Sequence, residues 1–209
     1  MNSIVITAPT NAELETFMPL ARVRTLCLIS HSRSDSILSD YRRAAYDDGM
    51  HEARASFLPQ TVATTFRTPY GAAKNFGLEA QIVDLDGVRS AVRLPLGPII
   101  DITSVAFSDE SGAAVAALSA GFSLVSNKFL RWAPSFSWPT AAARPTFTVT
   151  YQAGFPDGHP KLAALRVAVG ELIAVKWDAQ GGNYVMPTSA TRVFRSLRTS
   201  RTANPSATS

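Results

Sequence analysis

Cysteine occurs once in this chain, at Cys27. That excludes an internal disulfide and any metal site built on several thiolates. Histidine is nearly as scarce: His31, His51 and His159 are the three present, and none falls in the H-E-x-x-H spacing of a zinc-binding helix. Phosphate-binding loops, dinucleotide fingerprints and G-x-S-x-G elbows are missing too. No apolar run approaches the roughly 20 residues that cross a bilayer, so no membrane is expected among the partners. The N-terminal stretch MNSIVITAPTNAELE lacks the basic start and apolar run of a secretion signal. A reducing cytoplasm, or a particle assembled in one, is the expected compartment. Acidic side chains stop at Asp178, beyond which come Arg192, Arg195, Arg198 and Arg201. These four arginines account for the whole net charge of +4, because residues 1–178 carry sixteen basic and sixteen acidic side chains. A protein that coats nucleic acid spreads its positive charge more widely. This chain is a neutral body with a basic tail.

What is present suffices for a core. A chain of 209 residues, 46% of them hydrophobic, fits one domain or one domain with an insertion. Residues 11 to about 28 read as helix, with Leu14, Phe17, Met18, Ala21 and Leu28 on one stripe and a break at Pro19. Ser34 is the expected N-cap of a second helix, from Asp35 towards Phe57, with Gly49 in its middle and Pro59 as its stop. From Thr61 to Phe155 the hydrophobic period becomes two. The expected strands are Val62–Arg67, Gln81–Val83, Val88–Leu94, Ile102–Ser108, Phe122–Val125, Phe129–Trp132 and Thr146–Tyr151, with a hairpin turn at Asp109-Glu110-Ser111-Gly112.

A third helix spans Lys161 to Trp177. Its charges, Lys161, Arg166, Glu171 and Lys176, recur every five residues, so each lies about 140° round from the last. That leaves no wide wet face, and the helix expects neighbours on most sides, in its own core or across a subunit boundary. Arg166, Glu171 and Trp177 are its candidate subunit contacts. After Gly181-Gly182-Asn183 a last helix starts at Pro187-Thr188-Ser189, with Ala190, Val193, Phe194 and Leu197 on one side and Arg192, Arg195 and Arg198 on the other. A helix this short is marginal alone, so residues 188–201 are expected to order on a partner, and 202–209 to stay disordered. The fold class is α+β: a small helical bundle with a β-rich insertion and a C-terminal extension. Residues 1–60 form the N-terminal helical part and 61–156 the insertion. Residues 157–187 supply the long central helix and turn, and 188–209 the basic helix and tail.

Several constellations could carry chemistry. Cys27 and His31 are four apart and could meet on one helical turn, but a thiolate nucleophile needs an orienting group and an oxyanion pocket that nothing here supplies. Tyr46-Asp47-Asp48 with His51-Glu52 could bind a metal or move a proton; a solvated helix face explains it as well. Asp84 and Asp86 beside Gly87 read as a strand end and turn. Trp132, Phe136 and Trp138 could stack bases, yet only Lys128, Arg131 and Arg144 lie nearby, and the interleaved prolines favour packing. In the last helix the apolar side argues for a protein groove, since phosphate binding needs no aliphatic stripe. The rivals are thus a nucleic-acid-binding module using the arginine tail and a small hydrolase. No enzyme activity and no cofactor are expected.

Two runs carry a resemblance. The first, RLPLGPIIDITSVAFSDESG, has Arg93-Leu94-Pro95, Pro98, Ile102, Ser104-Val105, Asp109 and Gly112. The second, SWPTAAARPTFTVTYQAGFPDGHP, has Trp138-Pro139, Arg144-Pro145, Val149-Thr150-Tyr151 and Ala153-Gly154 before a helix. They resemble the head–tail connector (adaptor) family of long-tailed bacteriophages and gene transfer agents, with fainter echoes at Leu20, Val23-Arg24, Asp35, Ala44-Ala45 and Gln60-Thr61. The resemblance implies a structural virion protein, assembled in the bacterial host cytoplasm, that forms a ring of twelve copies beneath the portal. The ring would extend the channel for packaged double-stranded DNA and dock the downstream neck, stopper or tail protein. In that family a C-terminal segment often meets the portal, which here makes Arg192, Val193, Phe194, Arg195, Leu197, Arg198 and Arg201 the candidate portal contacts.

Overall fold

The computed structural model describes residues 3–67, 82–85, 88–109, 111–118, 120–133, 146–180 and 182–197. The chain divides into two units, Met1–Pro9 with Leu58–Pro156, and Thr10–Phe57 with Asp157–Ser209. The first is all β among its described residues and the second all helical, so the α+β class holds.

The β unit has nine described strands, all paired antiparallel. β1 (Ser3–Ile6), β2 (Gln60–Arg67), β9 (Thr146–Ala153), β5 (Ile99–Ser108) and β6 (Ala114–Leu118) form a five-stranded sheet in that order. β3 (Ile82–Leu85), β4 (Val88–Arg93), β8 (Phe129–Trp132) and β7 (Phe122–Val125) form a four-stranded sheet. Alternation along β9 buries Phe147, Val149, Tyr151 and Ala153 on one face. They join Val62, Phe66, Val105 and Phe107 of the same sheet and Val92, Leu130 and Trp132 of the other in one core. Phe147 is its hub, with ring centroids 5.0 Å from Phe66, 6.0 Å from Phe107 and 5.9 Å from Trp132. Such aromatic pairs are worth about 0.5–1.5 kcal/mol each beyond their buried area.

Two strands were not expected. β1 is short and pairs only with β2 among the described strands; β6 is Ala-rich, which the β-former signal misses. The hairpin before β6 is built by Asp109, whose Oδ1 accepts the N–H groups of Ser111 and Ala113, each at 2.9 Å. Gly112 takes φ +86° there, a conformation glycine enters without a Cβ clash; Glu110 lies outside the described residues. Gly154, at φ +139°, is required more strictly, because a Cβ on it would stand 2.1 Å from the Leu58 carbonyl oxygen.

The helical unit contains α1 (Asn11–Phe17), α2 (Leu20–Leu26), α3 (Asp35–Ala53), α4 (Pro160–Asp178) and α5 (Thr188–Leu197). Thr10 and Glu13 form a reciprocal capping box that starts α1, a T-x-x-E signal that the sequence reading did not single out. Pro19 separates α1 from α2, as expected. Buried Arg42 repairs that break: its Nη1 donates to the Met18 carbonyl at 3.0 Å and pairs with Glu15. Ser34 is the N-cap of α3 but makes no side-chain capping bond. His159 caps α4, its Nδ1 accepting the Lys161 N–H at 3.2 Å. The core is an aromatic chain, Phe17 to Tyr46 (5.6 Å), Tyr46 to Phe57 (5.4 Å) and Phe57 to Phe194 (5.8 Å). Leu14, Leu38, Leu165, Val169 and Leu172 are buried with it.

Candidate interaction surface

The expectation for the last helix needs correction. α5 packs against α3 and α4 of its own chain, and Phe194 is fully buried, stacked on Phe57. Its ring lies where a Cβ on Gly49 would come within 2.9 Å, so the glycine that looked like a weak point in α3 is the notch that admits Phe194. A surface for the apolar side of α5 therefore exists inside the chain, and through Leu197 the segment needs no partner in order to fold. Val193 and Leu197 are half-buried; Arg192 and Arg195 are exposed. Arg198 and Arg201 lie outside the described residues.

Three polar contacts hold residues 182–197 to α3 and α4. Arg195 Nε meets Glu52 at 2.9 Å, the Ser189 hydroxyl donates to Glu171, and the Tyr184 hydroxyl donates to Asp48. Lys176 closes the last contact, with Nζ 2.7 Å from Asp48 Oδ2 and 4.1 Å from the centroid of the Tyr184 ring. Burial alone would raise the Asp48 carboxyl; Lys176 and Tyr184 outweigh it and hold it below the usual carboxylate range. For Lys176, burial would lower the ammonium, and Asp48 and Tyr184 raise it instead.

The candidate subunit contacts on α4 have partners within the chain. The Arg166 guanidinium lies 5.7 Å from the Phe17 ring centroid, Glu171 holds Ser189, and Trp177 meets Tyr41 edge-on at 5.8 Å. The exposed positions of α4 are Pro160, Lys161, Ala163, Ala164, Val167 and Asp178, with Val167 52% exposed. Sequence reasoning did not single out Ala163, Ala164 and Val167, because charge spacing locates the wet residues, not the side left over after α2, α3 and α5 have packed.

The catalytic candidates do not assemble. α2 ends at Leu26, Cys27 is its C-cap and Leu28 turns at φ +56°, so no helical turn joins Cys27 to His31. Burial pushes the Cys27 thiol up, and Asp178 adds to it, the opposite of what a nucleophile requires. Asp48 and Glu52 are neutralised by Lys176 and Arg195. Among the described residues no three His, Cys, Asp or Glu side chains converge to hold a metal ion. Trp132 is buried in the β core; Asp86, Phe136, Trp138 and Arg144 lie outside the described residues, and Asp84 sits in β3. No described helix is long and apolar enough to cross a membrane.

No known protein family and no curated protein matches the sequence. Solved structures do match the fold. A chain from the neck of an empty gene transfer agent particle, computed with sixfold symmetry, aligns at a TM-score of 0.68 and 18% identity, over 98% of both chains. A chain from the neck of the native particle, computed with twelvefold symmetry, aligns at 0.65 and 19% over the same share of each. A chain from the virion of the native gene transfer agent aligns at 0.61 and 19%, again over 98% of both. Over nearly its whole length, the protein has the fold of chains found in the gene transfer agent neck.

Proposed function

We propose that this chain is a structural head–tail connector, or adaptor, of a tailed phage or gene transfer agent virion. In this reading twelve copies form a ring beneath the portal. The ring extends the DNA channel and docks the downstream neck, stopper or tail protein. The chain acts by geometry, not by chemistry, and does its work in the virion after assembly in the bacterial host cytoplasm. The observation that carries the reading is the shared fold along 98% of both chains, with neck chains from particles computed in sixfold and twelvefold symmetry. The run from Arg93 to Gly112 and the Val149-Thr150-Tyr151 stretch support it independently.

The portal contact changes in character. With Phe194 committed to the chain's own core, the basic outer side of α5 and the tail beyond it, Arg192, Arg195, Arg198 and Arg201, meets portal carboxylates or channel DNA. Deleting the gene in the producing cell should leave filled heads without tails, and an antibody to the chain should label the head–tail junction. Normal tailed particles from the deletion strain would overturn the reading. A nucleic-acid-binding module would instead bind free DNA tightly with a steep salt dependence.

A further inference from the structure

The five-stranded sheet ends in β1 on one side and β6 on the other, and among the described strands neither has a partner along its outer edge. An open edge presents unpaired N–H and C=O groups, and charged side chains or proline commonly guard it. Neither occurs in residues 1–8 or 111–127, the stretches that hold these two strands. The four-stranded sheet has one such edge, β7, but its other edge, β3, carries Asp84. The core is open at the same places. Ile4 stands opposite buried Thr64, on the core side of the sheet, yet is 45% exposed. Ile6 on β1 and Ala116 and Leu118 on β6 pack against the core and remain half-buried. Both strands are short, and Val115 is an extra residue in β6 between the pairs Ser108–Ala114 and Phe107–Ala116. Such features weaken an edge without closing it.

Every neighbouring pair in this sheet is antiparallel, so in a row of five the two outermost strands run the same way. A rotation about an axis along the strands preserves that direction. β6 of one copy can therefore lie parallel beside β1 of the next, and the same contact repeats round a ring. It joins two different surfaces, as closed cyclic symmetry requires of each copy. We infer that β6 of one copy pairs with β1 of its neighbour in the assembled ring, an inference that rests on the ring reading above. Parallel strands share evenly spaced hydrogen bonds, which satisfy the open edge of each. Ile4 and Ile6 come to lie beside Ala116 and Leu118 of the neighbour, and the core continues across the junction. Strands this short supply few bonds, so the contact forms when copies are held together on a template and not in the free protein.

The test is made in particles from the producing cell, with the full chain carrying p-benzoylphenylalanine in place of Ile4 or, as control, of Gln152, which is exposed on the central strand β9. Irradiation of the Ile4 particles should yield a product at twice 22.4 kDa, at least tenfold above the control, with the cross-linked peptide of the second copy falling in residues 111–127. Ala117 is exposed on β6, and lysine is a common guard of sheet edges. Ala117→Lys should therefore lower the amount of chain per particle tenfold or more with an unchanged melting temperature, and Gln152→Lys should not. Cross-links from position 4 only to a different protein, or to residues 1–8 of a second copy as a twofold pair of β1 strands would give, would overturn the inference and leave the ring reading standing. So would normal incorporation of Ala117→Lys. Particles that never contain the wild-type chain would overturn both.

Discussion

Phe194 shows how one side chain sets the state of a whole segment. It fills the notch over Gly49 and stacks on Phe57, so Phe194→Ala should cost about 3–5 kcal/mol in chemical denaturation, as large-to-small core changes do. Gly49→Ala improves helix propensity by up to about 1 kcal/mol, yet it forces the Phe194 ring to move. Overpacking of about 1–3 kcal/mol should win, and a melting temperature above wild type would show that the notch has slack. Asp48 and Lys176 set the pH window of the same segment. A carboxyl held low contributes stability above its unfolded value, near 3.8, and loses it as pH falls through the folded value. An ammonium held high contributes below its unfolded value, near 10.5, and loses it as pH rises through the folded value. Between those limits the clamp on Tyr184 is intact. Amide exchange at residues 182–197, corrected for intrinsic rate, should therefore be flat from pH 5 to 8 and rise selectively towards pH 3. A rise in step with the rest of the chain would remove the clamp from the account.

At the scale of elements, α5 is part of the bundle and not a loose tail. Truncation after Met186 should lower the melting temperature measurably, because it exposes Phe57 and the Gly49 notch; an unchanged melt would mean that α5 docks without contributing stability. In the β unit, Phe107 is 2% exposed and shares the aromatic core with Phe147 and Trp132. Phe107→Ala should cost about 3–5 kcal/mol, and Ser123→Ala, on an exposed strand position, should stay within about 0.5 kcal/mol. Equal losses in denaturant melts would contradict the assignment of inner and outer faces. The strand periodicity that separates these two residues was legible in the sequence, and β7 and β8 have the expected ends, Phe122–Val125 and Phe129–Trp132. β6 was not legible, since five residues of mostly alanine carry no alternation.

For the whole molecule, the balance of sixteen basic and sixteen acidic side chains over residues 1–178 leaves little long-range attraction between copies. The purified protein should sediment as a monomer or weak oligomer at micromolar concentration and close into a ring only on a template. A stable large ring formed alone would refute this. The local codes could be read directly: the 3.6 and 2.0 periods, Pro19 as a helix break, and the partition of charge into a neutral body and a basic tail. Each depends on residues within a few positions of one another, and local sterics and hydrogen bonding act at that range. Partner choice was decided elsewhere. That β2 pairs with β9, with Thr65 opposite Thr148, that Arg42 closes the break at Met18 and that Phe194 turns inward onto Phe57 are long-range selections. They follow from which apolar faces find each other once the elements exist, and an amphipathic pattern states that a face must be buried without stating against what.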